Sequence, residues 1–191
     1  MQLTLTLTGT RPMLLHNRRL ANPTDPWTRQ LKQLTGKRKK TDEDLIDIMR
    51  VEARGAIYES SDGLLVLPTE NLWRSIYDAA TAFKMGQDVK RALSAPPDQA
   101  EPLLIGGDEV KVETFLQDPE NIDYRSVKVM GKRTMRARPV VKDWTSTHTF
   151  DLLEDVIDPR DLVKVFERAG RLVGLGDWRP TWGTYNAEVG A

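Results

Sequence analysis

The chain has no cysteine, and that single absence removes disulfides, thiolate metal sites and cysteine nucleophiles together. It suits a reducing compartment. Only two histidines are present, His16 and His148, so metal binding would have to rest on carboxylates and those two imidazoles. Ordinary acid–base or nucleophilic machinery has correspondingly little to draw on, and we expect no catalytic residue, no metal and no cofactor. No window approaches the roughly 20 apolar residues of a membrane-spanning helix. The N-terminal MQLTLTLTGTRP has neither the basic head nor the apolar run of a signal peptide. A cytoplasmic protein without a membrane partner is expected. Nucleotide motifs fail as well, since Leu31 stands where a P-loop ending in Gly36-Lys37 needs its first glycine, and GLGDWR at 174–179 lacks the third glycine of a dinucleotide fingerprint.

What the chain does have is charge, 28 basic and 28 acidic side chains in 191 residues, hidden in a net charge of zero. Followed along the sequence, the two signs separate. Residues 1–41 hold nine Lys/Arg (Arg11, Arg18, Arg19, Arg29, Lys32, Lys37, Arg38, Lys39, Lys40) against Asp25 alone, and 124–142 hold seven (Arg125, Lys128, Lys132, Arg133, Arg136, Arg138, Lys142) with no acid. The stretches 42–83 and 85–123 each carry nine acids against three bases. Such segregation fits either a surface that faces a polyanion or charges paired across the fold.

Periodicity supplies the elements. Leu3, Leu5 and Leu7 alternate with threonines, the pattern of a half-buried strand over 2–10. Trp27, Leu31 and Leu34 share one face of a short helix stopped by Gly36, and Thr41 caps a second helix with Asp42, Glu43 and Asp44 at its positive end. Ser61-Asp62-Gly63 reads as a hairpin turn, after which Thr69 caps a helix over 69–83. Residues 84–123, rich in proline, glycine and acids, read as loops with two short strands, Leu103–Ile105 and Glu109–Val112. Strands follow over 124–130 and 138–153, the second with Trp144, His148, Phe150 and Leu152 on one side. Asp158-Pro159 opens a helix over 159–172, and 184–189 forms a last strand. The expected fold is a single α+β domain over 1–191, with a ferredoxin-like (RRM-like) βαββαβ core (2–10, 69–83, 124–153, 159–189) and insertions at 11–68 and 84–123.

Two segments carry binding chemistry. Residues 125–139 read as a β-ribbon with a flexible tip at Gly131. Its cations, Arg125, Lys128, Lys132, Arg133, Arg136 and Arg138, would line a phosphate backbone, and Met130 and Met135 could wedge between bases. The tail Gly174-Leu175-Gly176-Asp177-Trp178-Arg179-Pro180-Thr181-Trp182-Gly183-Thr184-Tyr185 joins glycines that admit another backbone to an arginine and to aromatics, of which Trp178, Trp182 or Tyr185 would stack on bases, the components of a single-strand binding loop. Arg18, Arg19, Lys37, Arg38, Lys39 and Lys40 would add phosphate contacts from the N-terminal region. His16 could touch phosphate or act in a nuclease-like step.

The segments LTLTLTGTRPMLLHN, Leu67-Pro68-Thr69-Glu70-Asn71-Leu72 and GLGDWRPTWGTY together resemble the repeat-associated (RAMP) superfamily of CRISPR effector proteins, especially its backbone subunits. The overall look is also similar to small bacteriophage proteins, which would place the chain in the host cytoplasm. The RAMP resemblance implies a ferredoxin-like core, a glycine-rich loop after the last helix, and a basic hairpin that wedges into bound RNA. Lys128, Lys132, Arg133, Arg136 and Arg138 would fall in that hairpin, and Gly174, Gly176 and Arg179 in that loop. The expectation is therefore a non-catalytic binder of single-stranded RNA or DNA that forms a homo-oligomer along the strand. The rivals are a bacteriophage structural or assembly protein and, behind it, a metal-independent nuclease.

Overall fold

The structure is a computed structural model describing residues 1–129 and 131–190. In chain order its strands are β1 (Gln2–Gly9), β2 (Met13–Leu14), β3 (Val66–Pro68), β4 (Leu93–Ser94), β5 (Ala100–Pro102), β6 (Leu104–Ile105), β7 (Ile122–Val129), β8 (Lys132–Val141), β9 (Trp144–Leu152) and β10 (Tyr185–Gly190). The helices are α1 (Pro26–Thr35), α2 (Asp42–Ala56), α3 (Thr69–Thr81), α4 (Gly86–Ala92), α5 (Val112–Gln117) and α6 (Pro159–Arg168). The protein is a mixed α+β fold with antiparallel sheets. None of its helices is long and apolar enough to cross a membrane, among the described residues.

The larger sheet has the order β10-β1-β9-β4, with β6 also pairing β9. Leucines 3, 5 and 7 of β1 are buried on the face that meets Leu72, Ile76, Ala79 and Ala80 of α3 and Leu162, Val165 and Phe166 of α6. Threonines occupy the opposite face, where Thr6 and Thr147 join their hydroxyls across the β1–β9 pair at 3.2 Å. β9 repeats the alternation, burying Trp144, Ser146, His148, Phe150 and Leu152.

His148 is fully buried yet satisfied. Ser146 Oγ donates to Pro102 O at 2.9 Å, so it accepts from His148 Nε2 at 3.0 Å, which leaves Nδ1 to accept from the Thr69 hydroxyl at 2.9 Å. Burial holds this imidazole down to a pKa of about 4. Thr69 thus serves this contact from the first position of α3 and does not cap it; the residue before the helix is Pro68, with no side-chain cap.

The second sheet is small, with order β2-β8-β7. Here the structure corrects the expected strand arrangement. Where a strand is expected at 124–130 the described residues form β7, Ile122–Val129, but it pairs with β8 and not with the larger sheet, in which the place beside β9 is filled by the short β4 and β6. The single strand expected over 138–153 is two strands in two sheets, broken at Lys142-Asp143, where Asp143 adopts φ 48°. β3 and β5 form a separate two-stranded ribbon leading into α3.

Within the expected insertions, α1 and α2 form as anticipated. Asp25 caps α1, and Thr41 with Asp44 makes a reciprocal capping box at α2. The 84–123 stretch is more regular than expected. It contains α4, and α5 replaces the end of the strand expected at Glu109–Val112. α6 begins at Asp158-Pro159 as expected, with the Asp158 carboxylate accepting from Arg160 N.

Candidate nucleic-acid interface

The start of the first basic stretch meets the second through the β2–β8 pairing, and the acidic helix that follows it closes on the same strand. α2 packs on β8, and the joint between them is ionic. Glu52, only 3% exposed, sits in the inward stripe of α2. Its Oε2 accepts from Ala137 N at 3.0 Å, and its Oε1 accepts from Arg136 Nη1 at 3.3 Å and Arg138 Nη1 at 3.2 Å. Arg138 reaches on through Nε to Asp177 Oδ2 at 3.0 Å, and His16 Nδ1 lies 3.5 Å from that same oxygen. His16 and Arg138 together hold the Asp177 carboxyl well below the usual carboxylate range. One chain of charge therefore ties α2, β8, the glycine-rich loop and the segment after β2.

Arg125 is also engaged. Its guanidinium lies 4.6 Å from the ring centre of Trp178 and 4.8 Å from that of Trp182, and it pairs with Asp123 two residues back on β7. The two tryptophans expected to stack on bases thus hold a protein cation between them. Both are half-buried, and Tyr185, the third ring expected to stack on bases, is buried in the core with its hydroxyl 3.3 Å from Ser75 Oγ.

The glycines of the tail have an internal task too. A Cβ on Gly176, at φ 77°, would meet Leu14 O at 2.2 Å, and one on Gly174, at φ 76°, would lie 3.0 Å from Gly183 O. They admit the protein's own backbone, and Asp177 N accordingly donates to Leu14 O at 2.8 Å.

The remaining expected residues divide in the same way. Arg19 is half-buried and donates to the carbonyls of Gly55 at 2.9 Å and Ile57 at 2.7 Å, binding the orphan acceptors at the end of α2. Arg179 pairs with Asp78 at 3.0 Å and Arg18 with Glu70 at 3.2 Å, the second pair on open surface. Lys37 pairs with Asp44, and Lys40 donates to Lys37 O at 2.8 Å, which leaves Arg38 and Lys39 pointing from an exposed α1–α2 loop.

On the outer half of the hairpin, Lys128 faces Arg133 across the β7–β8 pair. Both are exposed, and neither forms an ion pair with any described residue. Met135 is 42% exposed nearby. Met130 lies outside the described residues, as does the side chain of Lys132.

Sequence reasoning thus located the cations but not their partners. Glu52 was missed, and its signal was present: it falls four residues after Ile48 and four before Ala56, inside an apolar stripe where an acid is out of place. Among the described residues no group of three or more His, Asp or Glu is placed to hold a metal ion. No protein-family model matches the chain, and no curated protein matches it.

Proposed function

We propose that the chain is a non-catalytic binder of single-stranded RNA or DNA that assembles as a homo-oligomer along the strand. The observation that carries this reading is the division within the β7–β8 hairpin. Its root is fixed by Glu52, Asp177 and the two tryptophans, while its outer half presents Lys128 and Arg133 opposite one another in a segment with no acid. A two-stranded ribbon extends by about 3.3 Å per residue, so Lys128 and Arg133 lie several residues out from the anchored root. Cations without a protein partner suit phosphate oxygens, which need charge but no particular sequence. Arg38 and Lys39 on the α1–α2 loop supply a second set of contacts, joined to the first because α2 packs on β8.

The reading also favours a ferredoxin-like core related to the RAMP superfamily. In the larger sheet α3 follows β1, α6 joins β9 to β10, and neighbours are antiparallel in the order β10-β1-β9. That is the order such a core requires once β4 and β6 together are counted as its second strand. The β7–β8 hairpin then projects from the connection between the second and third core strands, where the resemblance puts an RNA-wedging hairpin.

Fluorescence anisotropy with a labelled single-stranded oligonucleotide tests the proposal. If four phosphates are neutralised, the log of the affinity falls against the log of salt concentration with a slope of roughly −3. Absence of binding at low salt, or binding indifferent to salt, contradicts it.

One observation favours a nuclease as the second reading: His16 is exposed beside Asp177, the arrangement in which a carboxylate orients an imidazole for proton transfer. Cleavage by the wild type that is lost in His16→Ala, with binding retained, would establish it. No cleavage by the wild type dismisses it.

A further inference from the structure

The hairpin is not the only feature shaped for a strand. Beside α3 lie two clefts of about 1130 Å³ and 210 Å³ that share His16, Tyr58, Asn71 and Arg74, and so form one continuous groove. One wall is the outer face of α3 with Trp73 and Arg74. The facing wall is the 94–100 loop with Pro96 and Pro97, and Lys90 and Arg179 stand toward opposite ends.

The aromatic wall is fixed before any ligand arrives. Trp73 Nε1 donates to Leu93 O at 2.9 Å, and its ring stacks on Tyr77 with centres 5.4 Å apart and planes 15° from parallel. The groove is also lined by Glu70, which pairs with Arg18, and by Asp98 and Asp177, but its other cations are only partly neutralised. Arg74 and Arg179 share the single carboxylate of Asp78, each at 3.0 Å, and the exposed Lys90 forms no ion pair with a described residue.

Resting on the reading above, we infer that this groove seats a short segment of the bound single strand, with a base against Trp73 and phosphates toward Arg74, Lys90 and Arg179. Three features select that occupant. The larger cleft alone exceeds the roughly 300–1,000 Å³ of a small-molecule pocket. Aromatic faces interleaved with cations are how proteins hold unpaired strands without reading sequence. The groove also runs into the hairpin, because Asp177 and Arg179 at its end flank Trp178, which lies against Arg125 at the hairpin root. A strand crossing the hairpin is thereby led into it. The stacking surface moves from Trp178 and Trp182, whose faces hold Arg125, to Trp73.

The test compares affinities for one labelled single-stranded oligonucleotide at fixed low salt. It uses the wild type, Trp73→Leu, Trp73→Phe, the pair Arg74→Glu with Lys90→Glu, and a hairpin pair, Lys128→Glu with Arg133→Glu. Trp73→Leu is expected to weaken binding by about fivefold to a hundredfold, the range for one base–aromatic stack, with most of the loss recovered in Trp73→Phe. The Arg74/Lys90 charge reversal is expected to cost at least about tenfold, since it turns two phosphate contacts repulsive. Because Trp73 packs against the core, circular dichroism melts accompany each variant, and the exposed Lys90→Glu alone carries the comparison if Trp73→Leu unfolds. Cross-linking with halogenated uracil in the strand is expected at Trp73 or Tyr58. If the hairpin pair loses binding while every groove variant binds like the wild type, and cross-links stay on the hairpin, the groove is overturned and the hairpin reading stands. A wild type that binds no strand overturns both.

Discussion

Around β1 and β9 the contacts that hold the molecule are apolar: Leu3, Leu5, Leu7, Trp144, Phe150 and Tyr185 meet the inner faces of α3 and α6. Around β8 the corresponding place is taken by charge. Glu52, Arg136, Arg138 and Asp177 form the joint there, and Arg125 is held between two tryptophans beside it. The first region draws on the non-directional burial of apolar surface and does not depend on any one partner. The second depends on each member being present, because a buried charge that loses its partner is far more costly than one that never had to be buried. The difference explains how a chain of zero net charge can hold two strongly basic stretches. Part of that basic charge is spent inward on the buried Glu52 and on half-buried acids such as Asp177, and the rest is left outside.

The largest expected effect is at the ionic joint. Glu52→Ala leaves the buried Arg138 with Asp177 alone, takes the carboxylate from Arg136 and the acceptor from Ala137 N, and is expected to lower stability by about 3–5 kcal/mol, read from urea unfolding. Replacing Glu52 and Arg138 together by methionine is expected to cost less, because no buried arginine then faces the gap, although Ala137 N loses its acceptor and Asp177 keeps only His16. Equal losses in the single and double variants would erase the contrast with the apolar sheet.

Next in size is a pH effect confined to the larger sheet. His148 is neutral when folded down to about pH 4, whereas the unfolded chain takes up its proton at about pH 6.5. Between those values the unfolded state binds more protons, so stability falls as pH drops from about 6.5 to about 4, by about 3 kcal/mol in total, and then levels. Asp177 acts in a separate window. Its folded carboxyl is held below the unfolded value, so its contribution is complete above about pH 4 and is lost only as pH falls further. In His148→Gln the loss between pH 6.5 and 4 is expected to vanish, whatever that substitution costs at neutral pH. Thermal melts across this range read it directly.

Smaller still is the cation between the tryptophans. Arg125→Ala is expected to cost about 0.5–2 kcal/mol and to uncover Trp178 and Trp182, seen as a change in tryptophan fluorescence. An unchanged spectrum would mean that the rings do not depend on the guanidinium.

How much of this was legible in the sequence follows from how local each signal is. The Leu–Thr alternation of β1, the Thr41–Asp44 cap of α2 and the Asp158-Pro159 start of α6 are each written within a few residues, and each forms where expected. α4 was not legible, because its seven residues bury only Gly86, Val89 and Ala92 and lie in a stretch dominated by proline, glycine and acids. The break between β8 and β9 rests on a non-glycine residue at positive φ, Asp143, which no composition rule flags. The charged stretches were legible as such, but which cations are spent was not, since Glu52 meets Arg138 and Arg125 meets Trp178 across more than fifty residues of sequence.

The root of the hairpin is held by Glu52, Asp177 and the two tryptophans, and its outer half is the part we propose for ligand. The salt dependence of single-strand affinity for Lys128→Ala with Arg133→Ala, beside the wild type, separates the two halves. With two phosphate contacts removed, affinity is expected to fall and the log–log slope to become shallower by roughly 1.4, while stability stays within about 0.5 kcal/mol of the wild type. An unchanged affinity and slope would contradict the account.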